Sequence, residues 1–368
     1  MRDGLLALRD RILTSARFQR LAAAFPITRP IANAQAQKAF DVCAGFVYSQ
    51  ILLACVRLGI LEAVRSGPIG IDALAARAEL PLERTRLLVD AAVAIGLLSL
   101  RSGSRAGLGM KGAAIVANPG ILAMVRHHAL LYSDLADPVR LLRADRPGGQ
   151  IQKFWAYADG RGRGSDNGEE VAEYSMLMAE SQHLVSSDVI AAVPFKSFRQ
   201  VLDVGGGNGT FVASVLRETP ALKAIVFDLP PVAERARENF AKLGLLDRCA
   251  VIGGDFFSDA IPVGCDAVTL VRVLHDHGDE GALRLLRAAR HALAPGAAII
   301  VAEPMAGVRG AEAVTHAYFA FYLLAMGSGR PRSPRAIAEL LATAGFSDIC
   351  HVATRRPLLV SVVTGRAA

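Results

Sequence analysis

The chain reads as an α/β protein in two parts: a mainly helical first half, then a doubly wound, mostly parallel sheet with an antiparallel edge strand. Three observations lead there. At 368 residues the chain exceeds what one ordinary core organises. Up to about residue 190 the pattern is almost entirely helical, and after about 198 short β-rich runs alternate with helical segments. Those runs are continuously apolar, as strands covered on both faces must be. The expected domains are 1–190 and 191–368.

In the first half, Phe46–Val64 is a long apolar helix broken by Gly59. Ile71–Ala78, a break at Leu80–Pro81, a helix over Glu83–Leu98 and the glycine- and serine-bearing run Ser99–Met110 outline a winged helix. A DNA reader needs several side chains free to reach base edges. The second helix (Leu82-Glu83-Arg84-Thr85-Arg86-Leu87-Leu88-Val89-Asp90) has only two basic residues with acids at both ends, so nucleic acid is not expected as a partner and dimerisation fits better. Asp159–Gly168 reads as a polar, glycine-rich loop and Tyr174–Val189 as the helix leading into the second domain.

In the second half the expected strands are Gln200–Val204, Ala224–Phe227, Ala250–Ile252, Ala267–Val271, Ala298–Ala302, Ile349–Val352 and Leu358–Val363. Helices are expected at Thr210–Arg217, Val232–Leu243, Glu280–Ala292 and Ser333–Ala344. The last two strands have no helix between them, which predicts antiparallel pairing at the edge of a Rossmann-like sheet.

Composition narrows the class. Hydrophobic residues make up 52% and charged ones 20%, which excludes a largely disordered chain. Mean hydropathy is high at +0.34, but the charge-free stretch Val42–Val56 falls short of the roughly 20 apolar residues of a span. No unbroken apolar block follows the first charges, so no secretory signal is expected and the cytoplasm is the expected compartment. The five cysteines, Cys43, Cys55, Cys249, Cys265 and Cys350, lie far apart and suit neither a disulfide framework nor a zinc site. No metal is expected. The net charge of +7 is partly concentrated at the start, where Arg2, Arg9, Arg11, Arg17, Arg20 and Arg29 face only Asp3 and Asp10. Leu5, Leu8, Ile12, Leu13, Leu21 and Phe25 recur among them at helical spacing. Such a segment suits either an anionic membrane surface or packing on a second subunit.

The chemistry begins at Leu202-Asp203-Val204-Gly205-Gly206-Gly207-Asn208-Gly209, after the first strand and before a helix. Gly205, Gly207 and Gly209 let main chain approach a ligand where a Cβ would collide. Phe211 and Val212 stand where a dinucleotide fingerprint needs its last glycine. Asp228, ending the second strand, suits ribose hydroxyls; Asp255 and Phe256, after the third, suit an adenine amino group and ring. Open sheets bind ligands at these carboxyl ends; Asp203, just before the glycines, does not favour a pyrophosphate, and Asp228 and Asp255 complete an adenosyl site. Any one of the acids alone would equally serve as a helix cap.

His275, in Leu274-His275-Asp276-His277 after the fourth strand, is the candidate base, since imidazole is the commonest proton acceptor near neutral pH. Glu303 ends the next strand and is placed to accept from the imidazole and fix its tautomer. Tyr318, Phe319, Phe321 and Tyr322 form the densest aromatic cluster, which suits a plain core, a dimer interface or an acceptor wall alike. His277 reads as structural, and His127 and His128 have no assigned role.

Asp203–Gly209, Asp228, Asp255, His275 and Glu303, behind a winged-helix dimerisation domain, resemble the O-methyltransferase family that includes plant caffeate and acetylserotonin-type enzymes. The resemblance implies S-adenosylmethionine as donor, S-adenosylhomocysteine as product, and a homodimer. It implies cofactor contacts at Asp203, Gly205, Gly207, Asp228, Asp255, Phe256 and Arg272, with His275 as base and Glu303 as its orienter. Met178, Tyr318, Phe321, Tyr322 and Met326 are the expected acceptor contacts. Gly45–Gln50, Arg126–Ala129, Asp134–Pro138 and Ala325–Arg330 are similar to the carotenoid 1-hydroxy O-methyltransferases, which implies methylation of a tertiary alcohol on a long polyene. Aromatic or polyketide hydroxyls are the alternative acceptors, and a winged-helix regulator sensing a methyl donor is the non-enzyme alternative.

One departure stands out. Phenol-methylating relatives carry a second glutamate beside the base, and Pro331 occupies the matching position. An alkyl alcohol is far less acidic than a phenol, and an imidazole of pKa about 6.5 cannot ionise it in advance. Proton removal is therefore expected to accompany or follow C–O bond formation.

Overall fold

The computed structural model describes residues 2–144, 148–158 and 182–368 and divides into two compact units, Met1–Ala117 and Asn118–Ala368. The division falls well before the expected boundary near 190. The helices Pro119–Asp134 and Gln150–Ala158 pack their apolar faces into the second unit, where Leu131, Leu141 and Ile151 share one cluster with Tyr322, Leu323 and Met326.

The first unit opens with helices Arg2–Leu13 and Ala16–Ala24, which bury no residue, and continues with Arg29–Arg57. Only the end of that long helix is buried, at Leu53, Cys55 and Val56; Phe40, Val42 and Phe46 are exposed. The winged helix follows. Helices Ile71–Ala78 and Leu82–Ala94 bury Leu74, Ala75, Val89 and Ala92. Three short strands, β1 (Ile69–Gly70), β2 (Leu98–Arg101) and β3 (Arg105–Leu108), pair antiparallel in the order β1-β3-β2.

The second unit is a seven-stranded sheet: β4 (Gln200–Val204), β5 (Lys223–Asp228), β6 (Cys249–Gly253), β7 (Ala267–Val271), β8 (Ala298–Glu303), β9 (Phe346–Val352) and β10 (Ser361–Ala367). Their order is β6-β5-β4-β7-β8-β10-β9. β4 to β8 are parallel, and every residue of β7 and β8 is buried because helices cover both faces. Helices Asp279–Ala292 and Pro334–Thr343 close one face; Thr210–Glu218, Pro230–Leu243 and 182–192 close the other.

Two details differ from the expected strands. The last strand, β10, inserts between β8 and the edge strand β9 and pairs antiparallel with both, so the reversed strand lies one in from the edge. It also starts at Ser361 rather than Leu358: Pro357 has no N–H to give a ladder, and the Leu359 and Val360 amides turn back onto the Arg356 carbonyl. The chain runs outward from β4 through β5 to β6, then returns to lay β7 and β8 on β4's other side. The crevice at that reversal, beyond the carboxyl ends of β4 and β7, is where such sheets bind ligands.

Candidate active site

A cavity of about 540 Å³ opens at this crevice, within the second unit. On one side it is lined by the loop after β4. Gly205 has φ +70°, and a Cβ there would come within 2.8 Å of Val273 Cγ2, so only glycine fits. The Gly207 N–H donates to Asp228 Oδ2 at 2.7 Å and the Leu229 N–H to Asp228 Oδ1 at 2.7 Å, which locks the carboxylate at the end of β5.

Asp203 lies beneath the loop, 1% exposed, with Oδ1 accepting from Thr269 Oγ1 at 2.5 Å. Burial pushes its pKa up to about 7, against the Thr269 bond and with a contribution from Asp228. Its Oδ2 is buried and has no hydrogen-bond partner among the described residues, although Asp203 lines the cavity. A buried acceptor left open on a cavity asks for a donor from a ligand.

Asp255 and Phe256 also line the cavity. Asp255 Oδ1 caps the Phe257 N–H at 2.9 Å, so its capping and ligand-facing readings coexist. Phe256 stands edge-on to Phe257 and His277, at 4.7 and 5.6 Å between centroids. Arg272 sits at φ +59°, an uncommon conformation for a non-glycine that concentrates at functional sites. Its N–H bonds the Ala302 carbonyl at 2.8 Å and its Nη1 reaches Gln182 Oε1 at 3.3 Å.

His275 occupies a short turn just beyond β7, 6% exposed. Its Nε2 is 3.1 Å from Asp276 Oδ1. Burial alone would pull its pKa down, but Asp276 and then Glu303 outweigh it and hold the imidazole above its ordinary value, with Arg272 opposing. Glu303, fully buried at the end of β8, does not bond the ring as expected. Its Oε2 is 3.8 Å from Nδ1 and accepts instead from the His275 main-chain N–H at 3.0 Å. The carboxylate at hydrogen-bond distance from the imidazole is the neighbouring Asp276.

Residues 132–347 match the O-methyltransferase domain, and residues 40–110 match the O-methyltransferase dimerisation domain. The chain belongs to the O-methyltransferase family. Over 361 residues it is 44% identical to the demethylspheroidene O-methyltransferase of Cereibacter sphaeroides, covering 98% of this chain and 95% of that one. The protein of the same name from Rhodobacter capsulatus is 39% identical over 96% of this chain and 88% of its own length. Among solved structures, human N-acetylserotonin methyltransferase in complex with SAM superposes with a TM-score of 0.76 at 25% identity, over 90% of this chain and 97% of that one.

The far wall of this O-methyltransferase's cavity is aromatic. A π-helical stretch, Val314–Phe319, runs into the helix Ala320–Met326 and presents Tyr318, Phe319, Tyr322 and Met326 to the cavity. Phe321 is half-buried and is not among the lining residues, and Met178 lies outside the described residues. His127 and His128 find their partners here. His127 Nε2 is 2.7 Å from the Tyr322 hydroxyl, which also accepts from Trp155 Nε1 at 3.0 Å; His128 Nε2 is 2.9 Å from the Tyr318 hydroxyl. Burial pulls both histidines down to about 4, so both are neutral at physiological pH. With their hydroxyls held by histidine, the two tyrosines line the cavity chiefly with ring. Sequence reasoning missed Asp276, Trp155 and these dyads; the doubled histidine one helical segment before an acid-proline turn was the available signal.

Proposed function

We propose that this O-methyltransferase transfers the methyl group of S-adenosylmethionine to the tertiary hydroxyl of a hydroxycarotenoid, forming a methoxy carotenoid. The observation that carries the acceptor is the 44% identity, along 98% of the chain, to a demethylspheroidene O-methyltransferase. An apolar wall of rings whose polar tips are occupied supports it, because such a wall suits a hydrocarbon end better than a phenol.

S-adenosylmethionine supplies an electrophilic methyl group when bound. Asp228 suits its ribose, Asp255 and Phe256 its adenine, and the open Oδ2 of Asp203 a cationic or N–H group. The residues of the chain do the rest. Tyr318, Tyr322 and Met326 hold the acceptor end in place, and positioning of this kind supplies much of the rate. His275 takes the hydroxyl proton as the C–O bond forms, when the oxygen has become strongly acidic. Asp276, 3.1 Å from Nε2, stabilises the imidazolium that results.

A cavity of about 540 Å³ is drug-sized, so with the donor present only the hydroxylated end of a long polyene enters. The enzyme is then a cytoplasmic homodimer, paired through residues 40–110, whose basic N-terminal segment rests on the membrane that dissolves its substrate. The helices Arg2–Leu13 and Ala16–Ala24 leave Leu5, Leu8 and Leu21 exposed beside the arginines, which supports this placement. The helix Arg29–Arg57 is also long and apolar enough to cross a membrane, by length and composition only.

The test incubates the enzyme with labelled S-adenosylmethionine and a panel of hydroxycarotenoids and phenols. Label in a methoxy carotenoid is expected; label only in phenol ethers defeats the acceptor assignment, and label in neither defeats the enzyme. His275→Ala is expected to lower kcat about 10²- to 10⁴-fold with donor affinity kept.

A further inference from the structure

Among the described residues the imidazole of His275 has one side-chain hydrogen-bond partner, Asp276, which belongs to the same turn and cannot anchor it to the rest of the fold. Its main chain, in contrast, is gripped from outside at each step. The His275 N–H is taken by Glu303 Oε2 at 3.0 Å and the His275 carbonyl by the Arg330 N–H at 2.9 Å. On either side, the Leu274 carbonyl accepts from Arg332 Nη1 at 2.9 Å and the His277 carbonyl from Arg332 Nη2 at 2.7 Å. Arg332 is 2% exposed, and it also donates to Asp279 Oδ1, from Nε at 3.0 Å and Nη2 at 2.8 Å. Partial burial raises the pKa of Asp279, but Arg332 and Arg330 outweigh that and keep it below its ordinary value.

We infer that Arg332 is a positioning residue for the base: its guanidinium fork clamps the turn Leu274–His277 from behind and sets where the imidazole stands. This rests on the reading of His275 as the base. Three features make the clamp specific. A guanidinium spreads its donors over three nitrogens in one rigid plane and so spans two carbonyls and a carboxylate, whereas an ammonium presents its donors from a single point on a flexible stem. Gly329, at φ +79°, allows the strand of chain behind the turn to approach: a Cβ there would lie 2.0 Å from the His275 carbonyl oxygen. Pro331, between the two arginines, confines Arg330 to extended conformations and fixes its own φ, so the segment 329–332 is stiff before it meets the turn. Pro331 thus serves to stiffen a main-chain clamp.

The test is a double-mutant cycle on the full-length enzyme. Arg332→Ala is expected to lower kcat about 100-fold, as an ångström of misplacement does, with the dissociation constant for S-adenosylmethionine within twofold of the parent. Added guanidinium is expected to restore at least tenfold of that loss. In the His275→Ala background the same substitution is expected to change kcat by less than threefold. A folded Arg332→Ala enzyme with parental kcat overturns the inference, and so does an equal 100-fold loss in both backgrounds. If Arg332→Ala does not fold, Arg332→Lys serves: a roughly tenfold loss of kcat supports the clamp and parental kcat defeats it. A His275→Ala enzyme with near-parental turnover marks the separate failure of the base assignment, which takes this inference with it.

Discussion

On the side of the cavity proposed for the donor the lining groups are main chain and short acids at the ends of β4, β5 and β6, fixed by hydrogen bonds a few residues long or between adjacent strands. On the acceptor side they are aromatic side chains fixed by partners very distant in sequence: His127 and Tyr322 are 195 residues apart, His128 and Tyr318 190, and Trp155 and Tyr322 167. The first arrangement is a rigid solution written into local motifs. The second is built where one substitution alters polarity without disturbing the sheet. The two sides should therefore fail independently.

The largest effect expected from breaking the donor side comes at Asp228. Asp228→Ala removes the carboxylate that holds both the Gly207 and Leu229 amides. Two charge-assisted bonds and the loop's shape are lost together. Donor affinity should fall about 100-fold, corresponding to roughly 3 kcal/mol, with the acceptor KM nearly unchanged. Calorimetric titration with S-adenosylhomocysteine and acceptor kinetics at saturating donor measure the two separately. Equal losses on both sides would dissolve the distinction.

A smaller effect is expected on the other side. Tyr322→Phe deletes the hydroxyl that accepts from Trp155 and meets His127, so both lose that hydrogen bond. The acceptor KM should rise about five- to tenfold, corresponding to roughly 1 kcal/mol or slightly more, while donor affinity stays put. A change in donor affinity as large as that in acceptor KM would show the wall to be a general support instead.

The same contrast explains what was legible in the sequence. Glycines at 205, 207 and 209, followed by acids at successive strand ends, carry their geometry with them, because a parallel sheet puts those ends at one edge; the strands β4 and β7 were placed to the residue for the same reason. The role of Glu303 was read to the right neighbourhood but the wrong atom: spacing places a carboxylate near a histidine, and only the turn's local path decides whether ring or main chain faces it. Arg332 gave no signal, and the doubled histidine gave one without a partner, since a basic residue after a proline and two histidines on an apolar helix look like surface and core until the fold supplies what they bond. The domain boundary was misplaced because helical pattern says nothing about which core a helix joins; Ile151 and Leu131 go with Tyr322.

The pH dependence of stability offers the most delicate separation. His127 and His128 are buried at about 4 in the folded protein, against about 6.5 in an unfolded chain. Above pH 6.5 both states are neutral and the histidines cost nothing. As pH falls below 6.5 the unfolded chain binds protons first, so stability declines until about pH 4, where the folded state also takes them. Each histidine accounts for about 1 kcal/mol of loss by pH 5.5. Asp and Glu residues add their own slope, so the measurement is a difference: denaturant unfolding of the parent and of His128→Gln, which keeps a hydrogen-bonding side chain but cannot titrate, between pH 7.5 and 5. The variant should lose less stability on acidification, by about 1 kcal/mol at pH 5.5 and about 2 kcal/mol at pH 5. Donor affinity, set on the side of the cavity that has no such histidine, should follow pH identically in both proteins. Identical stability slopes would mean that the histidines are charged, or reachable by water, and that the acceptor wall is wetter than its rings suggest.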